Sequence, residues 1–229
     1  MFPKKIALLI SFLLISIISN SQTLNSNKTF LYQGRIEKLQ QDTVILIGTA
    51  SSVSFNFTGN ECSILLQSVD SYEHHNYVQL VLDGKYIGKI RIEKGVVQSF
   101  AIKITSNQKE HRLEIYKNTE AHTGGVLFAG TTAKLTSISF KKKKKIEFIG
   151  DSITCGAASD GSEVPCDKGE YYDHHNSYYA YGPTLSRAIG ADYLMSCVSG
   201  IGMYRNWNDE HKDEAIMPDV YQNLYLTKD

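Results

Sequence analysis

A serine with the surroundings of a catalytic nucleophile occurs at position 152, in the second half of the chain. Residues 150–156 read Gly-Asp-Ser-Ile-Thr-Cys-Gly, and they directly follow residues 146–149, which predict a short β-strand. A serine just beyond the carboxyl end of a strand lies where open α/β sheets place their active sites. The first glycine allows a tight turn, and we expect Asp151 and Thr154 to hold it through hydrogen bonds to the local backbone. The expected chemistry is nucleophilic attack by Ser152, and an ordinary strand-to-loop turn is the alternative.

A second glycine-rich segment follows the next predicted strand. Residues 191–197 predict a buried strand, and residues 199–203 read Ser-Gly-Ile-Gly-Met. Glycines at that strand end expose backbone N–H groups towards the same crevice, and acyl transfer needs such donors for the developing oxyanion. Plain turn glycines are the alternative, and this pair alone is weak evidence.

The elements that must position these two segments form one crossover. A helix is predicted between the two strands, capped by Asn176 or Ser177 and ended by Gly190. Residues at helical spacing give it one apolar face, formed by Tyr178, Tyr181, Leu185 and Ile189. Strand, serine loop, helix and strand together predict a right-handed crossover between parallel strands.

The first half of the chain has a different pattern. Short alternating runs separated by turn residues recur between residues 30 and 140, and Asp83-Gly84 between two apolar runs predicts a hairpin. Eight to ten short strands predict an all-β sandwich or jelly roll over residues 22–140. The five lysines of residues 141–145 are interpreted as a linker. Net charge changes sign there, from +7 over residues 22–145 to −9 over residues 146–229.

The N-terminus has the pattern of an export signal. Lys4 and Lys5 precede an apolar run of about 13 residues, which is shorter than the roughly 20 needed to span a bilayer. We therefore predict a cleaved signal peptide over residues 1–21 and a secreted or periplasmic protein, with an uncleaved anchor as the alternative.

Four cysteines are too few for a disulfide scaffold, although an oxidising compartment permits a bridge. Cys155 and Cys166 lie close together in sequence and are candidates to pair. Cys62 and Cys197 lie in apolar stretches and are expected to be buried free thiols.

Two classes of function are disfavoured by composition and spacing. A formal charge of zero excludes a globally basic nucleic-acid binder, and the lysine run lacks interleaved aromatic or arginine side chains. His74, His75 and His122 have no Cys, His or carboxylate partners at the spacing of metal ligands.

The serine segment resembles the first block of the SGNH (GDSL-type) hydrolases. Over more of the chain, the sequence resembles carbohydrate esterase family 2, in which a jelly-roll domain precedes an SGNH domain. The segments that carry this resemblance are residues 146–156, 176–182 and 199–206 in the second half, and residues 32–35 and 116–121 in the sandwich.

The resemblance implies a fold, an activity and several residue roles. Residues 146–229 would be part of an α/β/α SGNH domain with a flavodoxin-like parallel sheet. The activity would be removal of acetyl groups from polysaccharides such as xylan and glucomannan, with neither a metal nor an organic cofactor. Ser152 would be the nucleophile and one oxyanion donor, and Gly200 another, with Gly202 as the alternative. Tyr204 and Trp207 are candidates to line the sugar site, with core packing as the alternative.

The sequence also departs from the family. A Gly-x-Asn-Asp block, whose asparagine completes the oxyanion hole, and a late catalytic histidine have no counterpart here. The resemblance therefore implies a catalytic domain that is incomplete as given. His174, His175 and His211 are candidates for a replacement base, and the alternative, which we expect, is that they are exposed loop residues.

Three functions follow as hypotheses. The first is a secreted O-acetyl esterase whose partner is acetylated plant cell-wall polysaccharide, with no membrane insertion after signal cleavage. The second is a glycan-binding sandwich with a vestigial hydrolase segment, which exposed aromatic residues such as Tyr72 and Tyr77 would favour. The third is a lipase or thioesterase of the wider superfamily, against which the sandwich argues. The oligomeric state is left open.

Overall fold

The computed structural model describes residues 29–40, 43–69, 75–159, 161–165 and 167–228. The predicted signal peptide, Tyr72, His74 and Cys166 lie outside these residues. Within the described ranges, no helix is both long and apolar enough to cross a membrane.

The first part of the described chain is a sandwich of two antiparallel sheets. In the first sheet the strand order is β1 (Leu31–Gln33), β4 (Ser52–Thr58), β9 (His111–Lys117), β6 (Asn76–Leu82) and β7 (Lys85–Ile92), and β11 (Lys134–Thr136) also pairs with β4. In the second sheet the order is β2 (Ile36–Lys38), β3 (Val44–Leu46), β10 (Gly125–Thr131), β5 (Glu61–Val69) and β8 (Gln98–Lys103). The predicted β-sandwich is confirmed.

Alternation along the strands places the core between the two sheets. Val53, Phe55 and Phe57 on β4 are fully buried, as a period of two predicts for the inward face of a strand. The predicted hairpin is also confirmed, because Asp83 and Gly84 both have positive φ, at 52° and 77°, between the paired strands β6 and β7. Two consecutive positive φ angles are typical of the type I′ turn, whose twist matches that of the flanking strands.

The second part contains the predicted parallel strand pair. Strand β12 (Lys145–Gly150) runs parallel to β13 (Asp192–Cys197), in register from Lys145 opposite Asp192 to Gly150 opposite Cys197. Among the described residues of this part, three short α-helices accompany them, namely α1 (Ser152–Cys155), α2 (Tyr181–Ile189) and α3 (Met217–Val220), and a 3₁₀ helix spans Tyr171–His174. The predicted linker is exposed and irregular over residues 141–144, and its last lysine begins β12.

Helix α2 differs from the prediction in its start and in its buried face. It begins at Tyr181 rather than after a cap at residue 176 or 177, and Leu185 and Ile189 are about half exposed. The face that packs on the strands carries Gly182, Pro183 and Ser186 instead. Small side chains let this helix pack closely on strand β12, since a Cβ at Gly182 would lie only 2.9 Å from the Phe148 ring.

The two parts share their hydrophobic cores. One cluster joins Ala50, Val81 and Tyr116 of the sandwich to residues of β12, β13 and α1. A second cluster joins Ile45, Ile47 and Ala121 to Met217, Val220 and Leu226. Both clusters therefore contain residues of the sandwich as well as of the α/β part. The α/β part packs directly against the sandwich.

Candidate active site

Ser152 is the first residue of α1, directly after β12, and is partly exposed. Asp151 caps this helix, because its Oδ1 accepts a hydrogen bond of 3.0 Å from the Ile153 N–H, as predicted. The predicted hydrogen bond from Thr154 to the backbone is not found among the described residues, and the Thr154 Oγ1 lies 3.0 Å from the Tyr181 hydroxyl instead. The turn requires glycine at position 150, since a Cβ there would lie 2.2 Å from the Thr154 Oγ1.

The Ser152 N–H is positioned as a donor to an incoming group. The first N–H groups of a helix have no partner within the helix. The Asp151 carboxylate takes the N–H of Ile153, and among the described residues none accepts a hydrogen bond from the N–H of Ser152. The nucleophile candidate therefore carries its own free backbone donor.

The glycine segment after β13 forms a type II turn. The Ile201 N–H donates to the Val198 carbonyl over 3.2 Å, and Gly200 has a φ of +76° while Ser199 does not have a positive φ. This combination defines a type II turn, which requires glycine or asparagine at its third position.

Hydrogen-bond accounting in this turn singles out Gly200. The N–H of Ser199 donates to the Glu120 carboxylate over 2.6 Å, and that of Gly202 donates to Asn206 Oδ1 over 3.0 Å. The N–H of Ile201 is used within the turn, whereas no described residue accepts the N–H of Gly200. The geometry thus favours Gly200 over Gly202 as an oxyanion donor.

A disulfide joins the serine turn to the glycine turn. Cys155 pairs with Cys197, and their Cα atoms are 5.6 Å apart. The sequence had instead made Cys166 the candidate partner of Cys155 and had predicted a free thiol at Cys197. The bridge is possible because parallel pairing brings the ends of β12 and β13 together, with the Val198 N–H donating to the Gly150 carbonyl over 3.3 Å. Ser152 precedes one bridged cysteine by three residues, and Gly200 follows the other by three.

Cys62 is a buried free thiol, as predicted. Its burial among the strands of the sandwich raises the pKa of the thiol to about 11.

A groove of about 470 Å³ opens beside the glycine turn. The lining of the groove includes Gly200, Trp207 and His122. The backbone N–H of Trp207 donates to the Gly200 carbonyl over 2.8 Å. Trp207 is 82% exposed and Tyr204 is 73% exposed, so neither packs in the core. Trp207 is therefore an exposed aromatic residue in the same groove as the candidate oxyanion donor.

Comparison with known proteins identifies the family. A family model described as "Carbohydrate esterase 2 N-terminal" matches residues 32–138. The chain belongs to carbohydrate esterase family 2. Cellulase/esterase CelE of Acetivibrio thermocellus is 30% identical over 186 residues, which are 79% of this chain and 22% of that protein. An acetylxylan esterase / glucomannan deacetylase of Cellvibrio japonicus is 30% identical over 149 residues, 63% of this chain and 40% of that protein.

Solved structures agree with this assignment. A family two carbohydrate esterase from Clostridium thermocellum, in complex with cellohexaose, superposes with a TM-score of 0.74 at 27% identity. The match covers 86% of this chain and 59% of that one. The family-2 chain described here thus spans less than two thirds of these three relatives.

The segments that resemble family 2 meet at the junction between the two parts. Arg35 donates to the Ser196 Oγ over 2.9 Å, and burial lowers its pKa despite the opposing charge of Glu147. Asn118 donates to the carbonyl of His175 over 2.7 Å and accepts from the N–H of Ser177 over 2.8 Å. Sequence reasoning missed this junction. Residues 117–120, from the last residue of β9 onwards, are four consecutive polar residues that are all fully buried, but their burial is visible only in the structure.

One of these fully buried polar groups is the Glu120 carboxylate. It lies 3.1 Å from His175 Nε2 and 3.4 Å from His122 Nδ1, and it also accepts hydrogen bonds from Ser199. Burial alone would raise the pKa of Glu120, but the hydrogen bonds from His175 and Ser199 and the charge of His122 together hold it below its ordinary value.

The histidines among the described residues do not reach the serine. His175 is buried, although it was predicted to be exposed. Its two ring nitrogens face the Glu120 carboxylate and the Tyr171 carbonyl, which satisfy them in the interior. His174 is partly exposed and His211 exposed, and within the described ranges no histidine hydrogen-bonds to the Ser152 hydroxyl. In the same ranges no three His, Cys, Asp or Glu side chains are arranged to hold a metal ion.

Of the two aromatic residues named for a glycan-binding sandwich, Tyr77 does not lie on an exposed face. Tyr77 is buried, and its hydroxyl donates to Asp173 at the junction. The other residue named for such a face, Tyr72, lies outside the described residues.

Proposed function

We propose that this protein is a secreted carbohydrate O-acetyl esterase in which Ser152 is the nucleophile. The observation that carries the proposal is the position of Ser152 and Gly200 beyond the carboxyl ends of adjacent parallel strands, on two turns joined by the Cys155–Cys197 disulfide. Each of the two has an N–H that no described residue accepts. Active sites of open α/β sheets lie at this edge.

The mechanism follows from these groups. The Ser152 Oγ attacks the acetyl carbonyl carbon while the carbonyl π electrons move onto oxygen, and the serine proton passes to a general base, which none of the described histidines is placed to supply. The N–H groups of Ser152 and Gly200 donate to this oxyanion. Its collapse breaks the bond to the sugar oxygen, which takes a proton and leaves as a hydroxyl. Water then attacks the acetyl-serine and releases acetate. Each such donor typically contributes about 10²–10³ in rate.

The substrate class is proposed from the relatives and the groove. One relative is named an acetylxylan esterase / glucomannan deacetylase, and another was solved with cellohexaose. An exposed indole such as that of Trp207 offers an apolar face on which a pyranose ring can pack, and Trp207 lines the same groove as Gly200. Acetylated β-linked plant polysaccharide is the substrate class that fits both.

Secretion is supported by the disulfide. A buried bridge between Cys155 and Cys197 forms and persists in an oxidising compartment, and is rare in a reducing cytosol. Export through the predicted signal at residues 1–21 would deliver the chain to such a compartment.

The substrate class is tested by a profile of acyl length and carrier. The purified chain is assayed on aryl acetate, butyrate and octanoate esters, and on acetylated xylan beside acetylated glucomannan. We expect hydrolysis to fall steeply from acetate to octanoate and acetate to be released from both polysaccharides. A preference for octanoate would instead favour a lipase or thioesterase.

A further inference from the structure

The sandwich contributes a carboxylate to the candidate active site. Glu120 follows strand β9 and is fully buried against the α/β part. Its Oε2 accepts the Ser199 N–H over 2.6 Å, and its Oε1 accepts the Ser199 hydroxyl. One side chain of the sandwich therefore binds Ser199 through both of that residue's donors.

Ser199 is the residue that sets the direction of the Gly200 N–H. It is the second residue of the type II turn, and the peptide that joins it to Gly200 is the central peptide of that turn. Type I and type II turns differ mainly in the orientation of this peptide. Anchoring Ser199 through its N–H and its hydroxyl restricts the rotation that would turn the Gly200 N–H away.

Glu120 is itself held in place from several directions. Lys117 Nζ donates to the carbonyls of Thr119, over 2.8 Å, and Glu120, over 2.7 Å. His175 lies between the Glu120 carboxylate and the Tyr171 carbonyl, and the Tyr171 hydroxyl lies 2.7 Å from the Ser199 Oγ. A buried polar network whose members have partners specifies a single geometry.

We infer that Glu120 is a positioning residue for the esterase reaction, and that it acts by fixing the Ser199 turn so that the Gly200 N–H faces the developing oxyanion. This inference rests on the proposed function. It makes the sandwich a structural part of the catalytic site rather than a separate binding module.

Two variants separate positioning from bulk stability. Glu120→Leu keeps the size of the side chain but removes both acceptors, whereas Glu120→Gln keeps one oxygen that can accept the Ser199 N–H. The matched control is Glu114→Leu, which removes another partly buried sandwich carboxylate that accepts one hydrogen bond, from Tyr116, and none from the Ser199 turn. Hydrolysis of aryl acetate gives kcat and KM for each, and thermal melts check folding.

The loss expected for Glu120→Leu is that of one oxyanion donor, a fall in kcat of about 10²–10³ with KM changed by less than about threefold. Glu120→Gln should recover kcat to within about tenfold of the wild type, and Glu114→Leu should leave it within about threefold. An unchanged kcat in Glu120→Leu, or a loss that Glu120→Gln does not recover, would overturn the inference.

A second measurement does not depend on turnover. In the wild type, the Ser199 amide proton donates to a charged acceptor and should resonate downfield in a ¹H–¹⁵N spectrum, and Glu120→Gln should move it upfield while Glu114→Leu leaves it in place. If Glu120→Leu does not fold, this shift decides the matter, and an unmoved resonance refutes the inference. A wild type without serine-dependent turnover would refute the proposed function. The chemical shift of the Ser199 amide would then still test whether Glu120 accepts a hydrogen bond from the Ser199 N–H.

Discussion

Removing the Cys155–Cys197 disulfide should destabilise the chain by an amount that its place in the sequence sets. The perturbation is the double variant Cys155→Ala/Cys197→Ala. The bridge closes a loop over a sequence separation of 42 residues, so it removes many conformations from the unfolded chain. Both cysteines are buried, so the bridge adds little exposed surface to the folded state.

The expected magnitude follows from loop-closure entropy. For a loop of this length the unfolded chain loses about 13 cal/mol/K of entropy, so the disulfide contributes about 4 kcal/mol to the free energy of unfolding at 25 °C. This is a large part of the roughly 5–15 kcal/mol that stabilises a typical protein. Guanidinium unfolding followed by far-UV circular dichroism measures it, and the midpoint should fall in the double variant.

Two controls make the result decisive. Cys62→Ala removes a buried cysteine that forms no bridge, and its effect should be smaller than that of the double variant. Trypsin should release residues 146–168 cross-linked to residues 188–205 from the non-reduced protein. A bridge inside residues 146–168 would show that Cys155 pairs with Cys166 and refute the reasoning, as would a double variant no less stable than Cys62→Ala.

Three further predictions concern single residues. Burial raises the pKa of Cys62 to about 11, so iodoacetamide at pH 8 should label this thiol only after unfolding, and labelling of the native chain would contradict its placement. Folding lowers the pKa of Glu120 below its ordinary value of 4.5, so its stabilisation is complete above pH 4.5 and is lost as pH falls through the folded pKa. Glu120→Gln should therefore cost more stability at pH 7 than at pH 3 in urea unfolding, and an equal cost would contradict this assignment. Gly200→Ala should cost about 1–2 kcal/mol, because φ is +76° there, and should lower kcat for aryl acetate; an unchanged melting temperature would contradict the turn geometry.

Much of the fold could be predicted because its signals are local. Alternating runs between residues 30 and 140 identified the sandwich, and the Asp83-Gly84 dipeptide identified a hairpin, since both patterns arise from a few neighbouring residues.

The site was predictable only in part, because its contacts join distant segments. Ser152 and Gly200 follow strand ends and could be read from sequence, but the partner of Cys155 lies 42 residues away and is brought near by strand pairing. The contact between His175 and Glu120 spans 55 residues and crosses from one part of the chain to the other. No periodicity within either segment signals such a contact.

The central claim is that Ser152 carries an acetyl esterase activity. Its most direct test is acetate release from acetylated xylan by the purified chain, beside Ser152→Ala and a matched control, Ser159→Ala, at an exposed serine of the same loop. We predict release by the wild type and by Ser159→Ala, and background release by Ser152→Ala. Equal release by the wild type and Ser152→Ala, or none by a folded wild type, would contradict the account.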